Sequence, residues 1–211
     1  MKTTLAAAGL LLTSTLLSGC NTAIFTGATE TGNAMAEERT LGGVVDDKSI
    51  SAQIHHHIIQ SDVNALLTDI DIRVYEGRVM LTGLTPDGKV AEEAVRLCWL
   101  VEGVREVINA VKVGEKRTVS EYSYDNLIES EIEARLLATK NIKSINFTVE
   151  VVTGTAYILG TAQDETERHR VEKVTRYIKG VKKVESYIRL RNDPRRPFMP
   201  PEELPPQKKS K

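Results

Sequence analysis

The sequence predicts an α+β protein built from two tandem modules, each running helix, strand, strand, helix, strand, with a three-stranded sheet packed on two helices. Two observations carry this prediction. Three glycines recur at one offset, because Gly77 and Gly154, Gly83 and Gly160, and Gly103 and Gly180 all stand 77 residues apart. Apolar positions around them keep that offset: Ile72 and Val74 are answered by Val149 and Val151, and Val104 and Val107 by Val181 and Val184. Self-similarity at a fixed spacing is the mark of a repeated structural unit. A unit copied with little shared polar chemistry points to binding or scaffolding rather than to an enzyme, whose active site rarely needs duplicating.

The first module spans residues 48–114 and the second 125–191, joined by a linker at 115–124. Each opens on an amphipathic helix, since Ile50, Ile54 and Ile58, and then Ile128, Ile132 and Leu136, recur at i, i+4 and i+8. These pairs lie 78 residues apart, so one residue is gained or lost before the first strand. Alternating runs at 70–75 and 147–152 predict strands. They end in Glu76-Gly77 and Thr153-Gly154, where glycine supplies the positive φ of a tight hairpin. The returning strands are 79–81 and 156–159, closed by Gly83 and Gly160.

A second helix follows Thr85-Pro86-Asp87-Gly88 in one copy and an Asp164 N-cap in the other. Its buried stripe is Val90, Ala94, Leu97, Cys98 and Val101, matched by Val171, Val174 and Ile178. Gly103 and Gly180 stop it, and 104–113 and 181–190 form the last strand. A unit of about 65 residues is marginal alone because it buries only about 60% of its unfolded surface, so packing of the two copies on each other is expected to help.

The ends of the chain carry different signals. Lys2, the apolar run Leu5–Leu12 and then Leu17-Ser18-Gly19-Cys20 form an export signal at 1–19, too short to span a membrane. The four residues before and at Cys20 resemble the lipobox of bacterial lipoproteins, which implies cleavage before Cys20 and acylation of its thiol. An acyl chain contributes about 0.8 kcal/mol per buried methylene, so two or three chains anchor firmly. In such lipoproteins an aspartate after the cysteine implies inner-membrane retention; Asn21 therefore implies the periplasmic face of the outer membrane.

Residues 20–47, rich in Gly, Ala and Thr, read as a flexible tether. Six of the seven prolines fall in 192–211, which predicts a disordered, basic tail, either a solvated spacer or a docking segment.

With Cys20 acylated, Cys98 has no partner for an intramolecular disulfide, and its helical spacing with Ala94 and Val101 makes it a core residue rather than a reactive thiol. The formal net charge of −1 argues against a nucleic-acid protein. Its distribution is uneven, −2 for 48–114 and +2 for 125–191.

The glycine hairpin, the closing glycine and the Gly-Val-x-x-Val start of the last strand together resemble the BON domain. The matching segments are Tyr75 through Gly83 with Gly103-Val104-Arg105-Glu106-Val107, and Val152 through Gly160 with Gly180-Val181-Lys182-Lys183-Val184. Occurring twice behind a lipobox, over about residues 45–191, they are similar to the dual-BON outer-membrane lipoproteins of the DolP/YraP group. Val45-Asp46-Asp47 and Val107-Ile108-Asn109 fit that group too.

The resemblance implies a non-enzymatic periplasmic protein, without cofactor, that binds anionic phospholipid and supports envelope integrity. It implies a lipid-facing surface on the first helix of the second module, starting at Asp125-Asn126-Leu127-Ile128. Leu127 stands where the group can place a membrane-inserting aromatic. It lies about 100° around the helix from core-facing Ile128, free to enter the headgroup boundary with Tyr124.

Glu129, Glu131 and Glu133 oppose an anionic surface, so basic residues must compensate: Arg135, Lys140 and Lys143, or Arg168, Arg170, Lys173, Arg176, Lys179, Lys182 and Lys183. The second set reads either as a solvated face or as a headgroup contact. The candidate lipid-binding residues are therefore Tyr124, Leu127, Arg135, Lys173 and Arg176, with Cys20 as the lipidation site. A scaffold contacting envelope assembly or secretion proteins is the rival from another class.

His55-His56-His57 does not suggest a metal, because successive helical residues diverge by about 100°. Trp99, whose counterpart is Arg176, fits an interface between modules, a membrane or partner contact, or the core. Asp69 and Asp71 flank an apolar strand residue and are expected to face solvent. No phosphate loop, nucleophile elbow or paired metal-ligand spacing occurs.

Overall fold

A computed structural model describes residues 41–61 and 69–196. Cys20, the expected export signal, most of the expected tether and the tail from Pro197 lie outside the described residues. The order is α1 (Leu41–Gln60), β1 (Ile70–Tyr75), β2 (Arg78–Thr85), α2 (Gly88–Trp99), β3 (Glu106–Val113), α3 (Val119–Ala138), β4 (Phe147–Val152), β5 (Thr155–Ala162), α4 (Glu165–Arg176) and β6 (Lys183–Leu190). Every element of the second half matches its twin in length, helices α1 and α3 at an offset of 78 and the rest at 77. The extra residue of the first copy lies between α1 and β1.

In each module the middle strand pairs antiparallel with the first and parallel with the last, giving the orders β1-β2-β3 and β4-β5-β6. The registers repeat as well: Ile70 pairs with Gly83 and Phe147 with Gly160. A Cβ added at Gly83 would overlap the Asp69 carbonyl oxygen, and one at Gly160 the Asn146 carbonyl oxygen, which is why only glycine closes these strands.

The hairpins are two-residue turns in which both residues have positive φ, Glu76 at 54° and Gly77 at 70°, Thr153 at 49° and Gly154 at 77°. A non-glycine residue there costs roughly 1–2 kcal/mol. An aspartate from the opening helix offsets that cost. Asp47 accepts hydrogen bonds from the Glu76 and Gly77 amides, both at 2.8 Å, and Asp125 does the same for Thr153 at 2.8 Å and Gly154 at 3.0 Å.

Each sheet packs one face on its helices. Ile50, Ile54 and Ile58 of α1 meet Val79 and Leu81 of β2 and the α2 stripe; Ile128, Ile132 and Leu136 of α3 meet Ala156 and Ile158 of β5 with Val171 and Ile178. Since side chains alternate along a strand, the intervening residues face the other way. There Tyr75 and Met80 of module 1 pack with Val152, Tyr157 and Leu159 of module 2, forming a third apolar cluster between the two sheets. Burial of such large side chains contributes about 1.5–3 kcal/mol each. The layers therefore run helices, sheet, sheet, helices.

The rim of this seam is ionic. Arg117, almost wholly buried, donates from Nε to Asp69 at 2.9 Å, from Nη2 to Asp71 at 3.2 Å, and from Nη1 to the Val151 carbonyl at 3.2 Å and Asp125 at 3.4 Å. Asp69 and Asp71 thus do not face solvent as expected. The outward side of β1 is opposed by the segment entering module 2, and its carboxylates meet that segment's arginine. Arg73 reaches Glu150 at 2.7 Å, and Glu106 accepts from both Arg78 and Arg189 at 2.7 Å.

Several boundaries differ from the sequence reading. Helix α1 starts at Leu41, so the last seven residues of the tether are helical. Helix α3 starts at Val119 inside the expected linker, because Thr118 and Glu121 form a reciprocal capping box. The tail does not depart at Asn192: Arg196 is buried and its guanidinium pairs with buried Glu76, at 2.6 Å from Nη2. The second helix of each module also ends two residues before its stripe does, at Trp99 and Arg176. No helix of the described residues is long and apolar enough to cross a membrane.

Candidate lipid-facing site

The early start of α3 changes the setting of the candidate residues. Leu127 is not at the helix N-terminus but in its second quarter, with more than two turns of helix before it. The buried face is Asp125, Ile128, Ile132 and Leu136, which leaves Val119, Tyr124, Leu127 and Leu137 exposed on the outer surface. Leu127 is 68% exposed, a large value for leucine on a helix that has a core to pack on.

Alongside α3, the C-terminal end of α4 forms a groove of about 610 Å³ lined by Glu131, Arg135, Lys173, Val174, Tyr177 and Lys179. The structure thus brings together two of the predicted residues, Arg135 of α3 and Lys173 of α4. Tyr124, Leu127 and Arg176 are exposed but do not line the groove. Arg176 precedes Tyr177 on the same face of α4 as Lys173. The Tyr124 hydroxyl lies over Gly180, 3.0 Å from where a Cβ would stand, at the turn that leads out of the groove.

Two groove residues were not singled out from sequence. Lys179 was one of a long basic set, and Tyr177 was missed. Tyr177 is 78% exposed, and its signal was its place off the Val171, Val174, Ile178 stripe, where an aromatic has no core to fill.

Of the three acidic residues that oppose an anionic surface, the fold turns away Glu129 and pairs Glu131, while Glu133 stays exposed. Glu129 turns into the seam, 3.7 Å from Arg73, and burial pushes its pKa up. Glu131 pairs with Arg135 at 2.9 Å, neutralising one groove cation. Lys173 and Lys179 have no ion-pair partner among the described residues.

The other sequence candidates fall elsewhere. Cys98 is buried and free, and burial raises its thiol to about 12, which disfavours the thiolate. Trp99 is 53% exposed on the outer helical layer; the seam is made by sheet faces, so Trp99 lies neither between the modules nor in the core. His55 and His56 are exposed, and no group of three His, Cys, Asp or Glu among the described residues is placed to hold a metal ion.

Comparison with known proteins bears on both halves. The BON domain family matches residues 46–115 and again residues 124–192. An "uncharacterized protein in gshII 5′ region" of Anaplasma centrale is 35% identical over 149 residues, covering 70% of this chain and 97% of that protein. Osmotically-inducible protein Y of Escherichia coli K12 is 30% identical over 153 residues, covering 72% and 76% of the two chains. Outer membrane lipoprotein DolP of Haemophilus influenzae is 25% identical over 168 residues, covering 80% and 86%.

Proposed function

Because the chain belongs to the BON domain family, with one copy of the domain in each half, we propose that it is a non-enzymatic lipoprotein of the periplasmic face of the outer membrane. Acylated Cys20 anchors it, and module 2 binds anionic phospholipid in support of envelope integrity. One observation carries this reading: the α3/α4 groove sets Arg135, Lys173 and Lys179 around exposed Tyr177, with Leu127 outward on the same helical layer. The name of the Haemophilus relative, an outer membrane lipoprotein, supports the location.

The magnitudes fit a weak contact made persistent by an anchor. A basic residue near an anionic leaflet contributes about 1 kcal/mol, so Lys173 and Lys179 together contribute only about 2 kcal/mol once Glu131 has offset Arg135. Tyr177 adds an amphipathic ring suited to the headgroup level. Alone this holds the protein at a bilayer briefly. Tethering raises the effective concentration of the bilayer to the millimolar range or above, at which a weak site stays occupied.

Vesicle flotation with soluble protein beginning after Cys20 tests the site. Binding to phosphatidylglycerol-containing vesicles and not to neutral ones is expected, reduced several-fold in Lys173→Glu/Lys179→Glu and in Leu127→Glu. Equal behaviour toward anionic and neutral vesicles would remove the lipid reading and favour a protein-interaction scaffold. Acylation is checked separately by palmitate labelling, which Cys20→Ala is expected to abolish.

A further inference from the structure

We propose that a second site on module 2, at the opposite end of α4 from the groove, binds a phosphate-type oxyanion. A pocket of about 430 Å³ opens between the first turn of α4, the end of β6 and the turn that follows it, and three arginines line it: Arg168, Arg189 and Arg195, beside Asn192 and Asp193. Guanidinium is a planar fork matched to the oxygens of a phosphate, and it keeps its charge at every physiological pH.

The carboxylates nearby leave a surplus of positive charge. Arg168 pairs with Glu165 at 2.5 Å, Arg195 with Asp193 at 2.6 Å, and Arg189 with Glu106 at 2.7 Å. Glu106 is shared with Arg78, which lies outside the pocket, so Arg189 is only partly neutralised. The Nε of Arg168 is buried and has no hydrogen-bond acceptor. The rest of the side chain is one-third exposed, so turning the guanidinium toward the pocket would bring this unsatisfied donor to an oxyanion oxygen. The helix end adds nothing, since Asp164 already caps the Glu167 amide at 2.8 Å. The site therefore rests on side chains.

The repeat supplies a control. The twin of Arg168 is Ala91, that of Arg189 is Lys112 and that of Arg195 is Thr118, so the arginine trio is not something the fold itself requires. It is an addition to module 2. The ligand chemistry, a phosphate dianion or monoester, is common to inorganic phosphate and to a phosphatidic acid headgroup.

Amide shift mapping on the full chain in zwitterionic micelles separates these sources. Titration with inorganic phosphate at constant ionic strength is expected to move the Arg168, Asn192 and Arg195 amides saturably, and Arg168→Gln and Arg195→Gln are each expected to weaken the response about tenfold, the effect of one charge-assisted contact. If only bilayers containing phosphatidic acid move these amides, and the same variants blunt the effect, the site stands with the headgroup as its source. Arg195 is 69% exposed at its side chain, so its variant keeps the fold and isolates binding. No shift with either probe beyond a chloride control, or shifts that both variants leave unchanged, would overturn the site. The Lys173 and Tyr177 amides report on the α3/α4 groove in the same spectra, so either site can fail without the other.

Discussion

Around the hairpin turn of module 1 the chain places Asp46, Glu102 and Arg105; at the twin positions of module 2 it places Tyr124, Lys179 and Lys182. The first arrangement leaves a pocket of about 330 Å³ in which four acids, Asp46, Asp47, Glu76 and Glu102, stand against one cation, Arg105. In the second, the tyrosine lies over Gly180 and the lysines bring positive charge. Beneath these surfaces the two modules agree: Asp47 and Asp125 hold the turn amides, Ile50 and Ile128 pack on Gly103 and Gly180, and the strand registers are identical. The positions that build the fold were kept in both copies, and the exposed positions diverged. Module 1 keeps the fold with acids at two of these three positions, while module 2 has lysine at two of its own.

The largest test of this pairing is to disconnect the modules. Arg117 is buried among Asp69, Asp71 and Asp125, and Arg117→Met leaves those carboxylates without their counter-ion. Breaking a buried ion pair on one side costs about 3–5 kcal/mol. Denaturant unfolding is expected to lose that much and to split into two transitions as the modules uncouple. A single transition shifted by less than about 1 kcal/mol would mean that the apolar contact between the sheets joins the modules unaided.

A second test uses pH. Glu150 is buried in the seam, where burial first and the charge of Asp71 next push its pKa up to about 8 despite Arg73; Glu129 and Arg117 are the other charged groups facing it. The folded state therefore holds a proton that the unfolded chain releases near its ordinary value of 4.5. Stability from this group is complete below that value and is lost as pH rises toward 8, by a few kcal/mol. Glu150→Gln is expected to flatten the melting temperature between pH 5 and pH 8, and an unchanged slope would show that Arg73 keeps Glu150 ionised throughout.

Next in size are the twin aspartates. Asp47→Ala and Asp125→Ala each leave two buried turn amides unsatisfied and are expected to cost about 1–3 kcal/mol. Asp125 also meets Arg117 at 3.4 Å, so Asp125→Ala and Arg117→Met are expected to be non-additive. Strict additivity, measured in the same denaturant, would detach the turn cap from the seam.

What the sequence revealed follows from how local each feature is. The glycine pairs were legible because each sits where only glycine fits, as Gly83 does beneath the Asp69 carbonyl, and so recurs unchanged at the same offset in both copies. The helical stripes were legible because one face meets one core. The start of α3 was not, since its first six residues carry no apolar stripe; only Thr118 and Glu121, three apart, signal it. Strand β2 was read as three residues and has eight, because both its faces are buried and Thr82-Gly83-Leu84-Thr85 shows no alternation. The orientation of Asp69 and Asp71 depended on Arg117, 48 and 46 residues away, and alternation tells which residues share a face but not what lies opposite it. Of the lipid-facing candidates, Arg135 and Lys173 come together because α3 and α4 pack side by side. Tyr177 was passed over because exposure of an aromatic is visible only once the core beside it is known to be full.

The smallest effect expected is at Trp99, and its smallness is the point. Tryptophan usually dominates the packing of a small domain, and its twin Arg176 is exposed in module 2. If the outer layer of module 1 is free to diverge, Trp99→Arg imports the twin residue at a half-exposed position and shifts stability by no more than about 0.5 kcal/mol, the range for surface substitutions. It also adds a cation to module 1 at the place where module 2 has one. Flotation on anionic vesicles is then expected to rise slightly, since one basic residue near the surface contributes about 1 kcal/mol but the acids Glu102 and Asp46 remain on that side of the module. A stability loss of 2 kcal/mol or more, read by thermal melting, would mean that the indole is packed after all and that the divergence of the two surfaces was constrained by the core.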